Sequence, residues 1–269
     1  RNQHISMTHA THDAHAGGKT ALRIMIGLLL PVMLLLASTS WAEDIKCSRL
    51  PLLFGRILSS HYATKNITGE VRNQTIDQMI KHLDPSKTLL YESDLEKLRP
   101  VLQNVFAGVQ SGNCASLNPV YDLLVVRARE NELMVKKILG PDFRLDENME
   151  LQIDVKKRPY AKTVEEKYEL LKKFIQFQIQ NDLLTGMDLE EAKKQQIHRY
   201  ELQTTRVMNR KPEKLVTNLA ESFASALDPH TNYLSPDEFE DLEIHMKLSL
   251  EGIGALLRSD NGFTIIEEL

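Results

Sequence analysis

Leu227-Asp228-Pro229-His230-Thr231-Asn232-Tyr233-Leu234 repeats, late in the chain, the pattern of Leu83-Asp84-Pro85-Ser86-Lys87-Thr88-Leu89-Leu90 near its beginning. Without gaps, Ile76, Met79 and Leu83 align with Ala220, Phe223 and Leu227, and downstream Leu95 and Leu98 align with Phe239 and Leu242. In each copy a helical periodicity runs into Asp-Pro. The proline fixes its own φ and disfavours helical geometry in the residue before it, so helix gives way to turn. Ser235-Pro236-Asp237-Glu238 then carries the spacing of a capping box and restarts a helix. The pattern predicts two related helical hairpins. The alternative is one common turn solution reached twice.

Outside the repeat the periodicity is also helical. Leu215, Val216, Leu219, Phe223 and Leu227 fall on one face, as do Ile76, Met79, Ile80 and Leu83, and both faces need partners in a helical core. Thr163 with Glu166 and Asp188 with Glu191 have capping spacing, and Pro212 suits a helical first turn. Gly140-Pro141 and Arg158-Pro159-Tyr160-Ala161-Lys162 interrupt the periodicity and read as connections. The lysine pairs Lys136-Lys137 and Lys172-Lys173 alternate with acidic residues and read as solvated helix faces.

The 269 residues are 42% hydrophobic, enough for a packed core, and the formal net charge of −4 supplies no excess of cations for nucleic acid or an acidic membrane. Met7 is a plausible start. Lys19 and Arg23 precede the apolar run Ile24–Ala37, and Ser40-Trp41-Ala42 offers small residues for a signal peptidase. The run is interrupted by Pro31 and falls short of the roughly 20 apolar residues a membrane span needs. Residues 1–42 therefore read as a signal peptide with upstream residues, residues 43–246 as a helical domain, and membrane contact as confined to export. Asp44-Ile45-Lys46 before Cys47 does not suit lipid attachment. In an oxidising compartment Cys47 and Cys114 are a candidate disulfide; the alternative is two separate thiols.

At Ser249 the texture changes. Ser249–Leu257 is strand-like, Asp260-Asn261-Gly262 is a turn signal, and Phe263–Ile266 is a second strand-like run. Gly252-Ile253-Gly254-Ala255 resembles the loop with which PDZ domains hold a peptide's terminal carboxylate on backbone amides, glycine allowing the close approach. Alone it equally fits a bend in an ordinary strand.

Phe223–Pro236 followed by Leu248-Ser249-Leu250-Glu251-Gly252-Ile253-Gly254-Ala255 resembles, in residues and in order, the tail-specific, C-terminal-processing serine proteases. The resemblance implies a mainly α chain: a helical N-terminal domain, then, at 247–269, the first β-hairpin of an incomplete PDZ domain. It implies a periplasmic endopeptidase that recognises apolar C-terminal tails and cleaves with a serine and a lysine base. No metal or cofactor is implied, and a lipoprotein adaptor is a further partner it allows. The catalytic residues are expected beyond Leu269, so this chain alone should be inactive. Ser225 sits on a helix with no strained turn to present its hydroxyl, and His230 and His245 lack zinc-ligand spacing. The rival readings are a stand-alone helical periplasmic protein that binds partners without catalysis, and an unrelated helical chaperone.

Overall fold

A computed structural model describes residues 44–146, 148–247, 256–260 and 263–268. The described chain is helical apart from its C-terminal end. In order come a 3-10 turn Cys47–Arg49, α1 (Leu50–Ser60), α2 (Gly69–Leu83), α3 (Glu92–Gln110), a 3-10 turn Ala115–Leu117, α4 (Asn118–Ile138), α5 (Val164–Leu184), α6 (Leu189–Met208), α7 (Glu213–Leu227) and α8 (Pro236–Lys247). Strands β1 (Leu256–Asp260) and β2 (Phe263–Glu268) pair antiparallel, with a register irregularity between Leu256 and Leu257. The expected signal peptide and the candidate loop Gly252–Ala255 lie outside the described residues.

The repeat is visible in helix bounds. α2 and α7 are each 15 residues long, beginning at 69 and 213, and each ends at the leucine before Asp-Pro. They bury matching positions: Val71, Thr75, Ile76, Met79 and Ile80 in one; Leu215, Leu219, Ala220, Phe223 and Ala224 in the other. The following helices start in the same register, at Glu92 and Pro236, behind matching caps. The Tyr91 amide donates to Asp94 Oδ2 (2.9 Å) and the Ser235 amide to Glu238 Oε2 (2.8 Å). The two Asp-Pro-ending helices pack against each other, and Phe223 stacks on Phe54 of α1 with ring centroids 3.9 Å apart.

Between the copies lie α4, α5 and α6, and α4 joins two apolar clusters. Its first half (Val120, Leu124, Ala128) packs with the hairpin helices. Its second half (Met134, Val135, Ile138) packs with Leu171, Ile175 and Ile179 of α5 and Ala192 of α6. The helix starts read from sequence form as expected at two sites: Thr163 Oγ1 accepts from the Glu166 amide (3.2 Å) and Asp188 Oδ1 from the Glu191 amide (2.8 Å). Pro212 stands at the N-cap position of α7, one residue before its first turn.

After α3 the chain doubles back. Gly112 has φ +71°, and a Cβ there would stand 3.2 Å from the Ser48 Cα, so glycine permits the close approach of the two segments. Next to that approach Cys47 and Cys114 form a disulfide, Cα atoms 5.8 Å apart, closing 67 residues of chain.

Candidate functional site

The first Leu-Asp-Pro turn is the polar centre of the described molecule. Asp84, 2% exposed, caps α2 and accepts from the amides of Thr88 (3.0 Å), Leu89 (2.9 Å) and Leu90 (2.8 Å), winding the loop around its carboxylate. Lys87 takes the left-handed conformation (φ 54°) to make that path, an unusual backbone for a residue with a side chain. Burial pushes the Asp84 carboxyl pKa up, against the three amides and the charge of Lys167.

The inserted region closes over this turn. Lys167 Nζ, on α5 and 1% exposed, donates to the Leu89 carbonyl (2.6 Å), lies 4.2 Å from the Tyr91 ring centre and stands 3.8 Å from Glu130 Oε2. Asn131 Nδ2 of α4 donates to the Thr88 carbonyl (3.0 Å). Arg158 Nη1 donates to the Ser86 carbonyl (2.6 Å) while its guanidinium lies 4.5 Å from the Phe174 ring centre. Arg127 grips the fully buried Asp94 with both arms (2.7 and 2.8 Å) and Glu130 with a third donor (2.8 Å); the Tyr91 hydroxyl also donates to Glu130. The cluster thus sets Asp84, Asp94 and Glu130 against Arg127, Arg158 and Lys167.

Burial draws the Lys167 ammonium down to about 8, against Glu130, Asp84 and Asp94, with Arg127 adding to the depression. Burial opposes ionisation of Asp94 too, but the hydrogen bonds from Arg127 and the Tyr91 amide outweigh it and hold that carboxyl below its ordinary range. A lysine titrating near 8 has the basicity of a catalytic base. Its hydrogen bond, however, goes to a backbone carbonyl, so Lys167 holds a loop rather than activating a nucleophile.

Two other pairs have catalytic residue types without catalytic geometry. His61 Nε2 meets Asp228 Oδ2 at 2.7 Å, but His61 Nδ1 accepts the Thr64 amide (2.8 Å), so both ring nitrogens are committed. Ser222, fully buried between α2 and α7, donates to the Asn218 carbonyl and lies 3.1 Å from His82 Nδ1. Ser225 lies within α7. The exposed His230 contributes its amide to Asp228 (2.6 Å), and His245 contacts the Asp241 carbonyl in its own helix (2.7 Å). Among the described residues no group of three or more His, Cys, Asp or Glu side chains could hold a metal, and no helix is long and apolar enough to cross a membrane.

Sequence reading missed the buried charges. The signal was present for two of them: Lys167 stands one turn before Leu171, Ile175 and Ile179 on the same helix face, and Asp94 stands likewise before Leu98 and Leu102. A charge on an apolar stripe is buried with a partner. Arg158, in a proline-broken connection, carries no such signal.

Residues 53–237 match the family described as tail specific protease N-terminal domain. Over 215 residues the chain is 26% identical to the tail-specific protease of Haemophilus influenzae, a match that takes in 80% of this chain and 31% of that protein. The chain therefore spans about a third of the length of the curated relative. The match covers α2 to α7 completely, both Leu-Asp-Pro turns included, and the chain belongs to the tail-specific protease N-terminal domain family.

Proposed function

We propose that this chain is the N-terminal part of an exported serine endopeptidase that selects proteins by an apolar C-terminal tail. Its helical domain serves as the rigid base for the recognition and cleavage regions that follow. The observation that carries this reading is the family match across 53–237, together with the order of segments after it. The hairpin β1–β2 begins a PDZ domain, and Gly252-Ile253-Gly254-Ala255 is its carboxylate loop, holding the tail's terminal oxygens on backbone amides. A serine beyond Leu269 attacks the scissile carbonyl. A lysine kept neutral by an apolar setting takes its proton, and backbone donors stabilise the oxyanion. The protein works in the periplasm, reached through the leader in residues 1–42, and residues 43–269 alone do not hydrolyse peptides.

The test is to read the coding sequence across the codon after that of Leu269 and assay the whole product on a peptide with an apolar C-terminus. Hydrolysis that is abolished by a serine-directed covalent inhibitor is expected. An immediate stop codon, or hydrolysis indifferent to the inhibitor, rejects the reading; the stop codon favours a noncatalytic helical protein that binds partners. Within the complete protein, Gly252→Val with Gly254→Val should weaken binding of the same peptide, and unchanged affinity would reject the carboxylate loop.

A further inference from the structure

The two copies of the repeat differ in what covers them. In the first, Leu90, Leu98 and Leu102 are 1%, 3% and 1% exposed; the residues in register with them in the second, Leu234, Leu242 and Met246, are 41%, 42% and 73% exposed. Phe239, in register with Leu95, is 52% exposed. The turn follows the same rule. Ser86, Thr88 and Leu89 give their carbonyls to Arg158, Asn131 and Lys167 of the inserted region, whereas their counterparts His230 and Asn232 are exposed and Tyr233 is half-buried. Among the described residues, the second copy is thus the same surface without the cover that the first one has.

We infer that the face formed by Leu234, Phe239, Leu242 and Met246, with the turn at His230–Tyr233, docks a basic amphipathic segment of the same polypeptide, located after Leu269. This rests on the reading of the chain as part of a longer protease. The chemistry of the occupant follows from the first copy, where a lysine and an arginine close the turn and apolar side chains close the helix. It also follows from α8, which carries Asp237, Glu238, Glu240, Asp241 and Glu243 against the single lysine Lys247 and so attracts positive charge. A tethered occupant is favoured over a second copy or a separate protein because four side chains bury far less than the ~1,200 Å² that stable interfaces between separate chains take. A segment on the same chain needs less, since the link raises its effective concentration.

The test places a benzophenone amino acid at the exposed position Leu242 of the complete protein, irradiates it and maps the product by mass spectrometry. The expected result is an intrachain cross-link to a peptide beyond Leu269 that contains Lys or Arg, lost when Glu240→Lys and Asp241→Lys are combined with the probe. A cross-link to a second copy or another protein, a cross-link that survives charge reversal, or none overturns the inference. Serine-inhibitable hydrolysis by the same preparation reports separately on the proposed function. Activity without the cross-link removes the docking alone, and a reading frame without a protease region removes both.

Discussion

Asp84 and Asp228 hold the same place in two copies of one helix–turn–helix, and they do different work. Asp84 is buried and gathers the amides of residues 88, 89 and 90, pulling the loop inward beneath Lys167, Asn131 and Arg158. Asp228 is half-exposed and holds a smaller turn, accepting the His230 and Thr231 amides (2.6 and 3.0 Å), the Thr231 hydroxyl (2.6 Å) and His61 (2.7 Å). One motif therefore specifies the turn, and its surroundings decide whether that turn becomes a core or a surface. The first is enclosed by helices inserted between the copies; the second faces outward.

The largest expected effect is at the enclosed turn. Asp84→Ala removes the acceptor of three amides, takes from Arg158 its acidic neighbour and leaves Lys167 with Glu130 and Asp94 alone, a loss of about 3–5 kcal/mol. Asp228→Ala, at the open turn, should cost clearly less. Urea unfolding of both variants checks the order, and equal losses would erase the distinction. Next comes the disulfide, which ties the 3-10 turn before α1 to the segment after α3. Cys47→Ser with Cys114→Ser should lower stability by about 4 kcal/mol, read as a lower denaturation midpoint. Third, Leu102→Ala should cost about 3 kcal/mol by opening a cavity. Met246→Ala, in register with it but exposed, should stay within about 0.5 kcal/mol in residues 43–269, which lack the proposed occupant.

The smallest effect is in pH dependence, where the two aspartates have opposite signs. The Thr231 hydroxyl and the His230 amide, ahead of a weaker opposing burial and with His61 adding to them, hold the Asp228 carboxyl well below the ordinary 3.8. Its contribution is complete above that value and is lost as pH falls from there through its folded pKa. Asp84 is raised, so the folded state binds its proton first, and acidification through its folded pKa relieves the cost of burying its charge. Between about pH 5 and pH 3, the stability difference between the parent and Asp228→Asn should therefore shrink. Against Asp84→Asn the parent should gain. Denaturant midpoints across that window check both signs. At the alkaline end, Lys167 is depressed from 10.5 to about 8, so the unfolded chain holds more protons and the parent should gain on Lys167→Met as pH rises between those values.

The elements were legible wherever local chemistry decides them. Asp-Pro stops α2 and α7, Ser235 with Glu238 starts α8, and Thr163 and Asp188 start α5 and α6; each depends on neighbours within a few residues. The helical class followed from these and from apolar spacing. What covers each turn was not legible. Leu98 and Leu242 look alike in sequence, yet one is 3% and the other 42% exposed, because Leu98 lies in the apolar cluster that takes in Val120, Leu124 and Ala128 of α4 and Leu242 does not. Long-range placement of this kind leaves no mark in periodicity. Lys167 is the exception: it shares a helix with the solvated pair Lys172-Lys173 but stands on the apolar face, one turn before Leu171, and that mark the sequence does carry.

Amide hydrogen exchange across the two turns tests most directly the claim that one copy is enclosed and the other open. In residues 43–269 alone, which lack the proposed occupant of the second turn, the Thr88, Leu89 and Leu90 amides should be protected to nearly the level of global unfolding, while those of His230 and Thr231 should exchange through a local opening at much lower cost. Equal protection at the two turns would contradict the account.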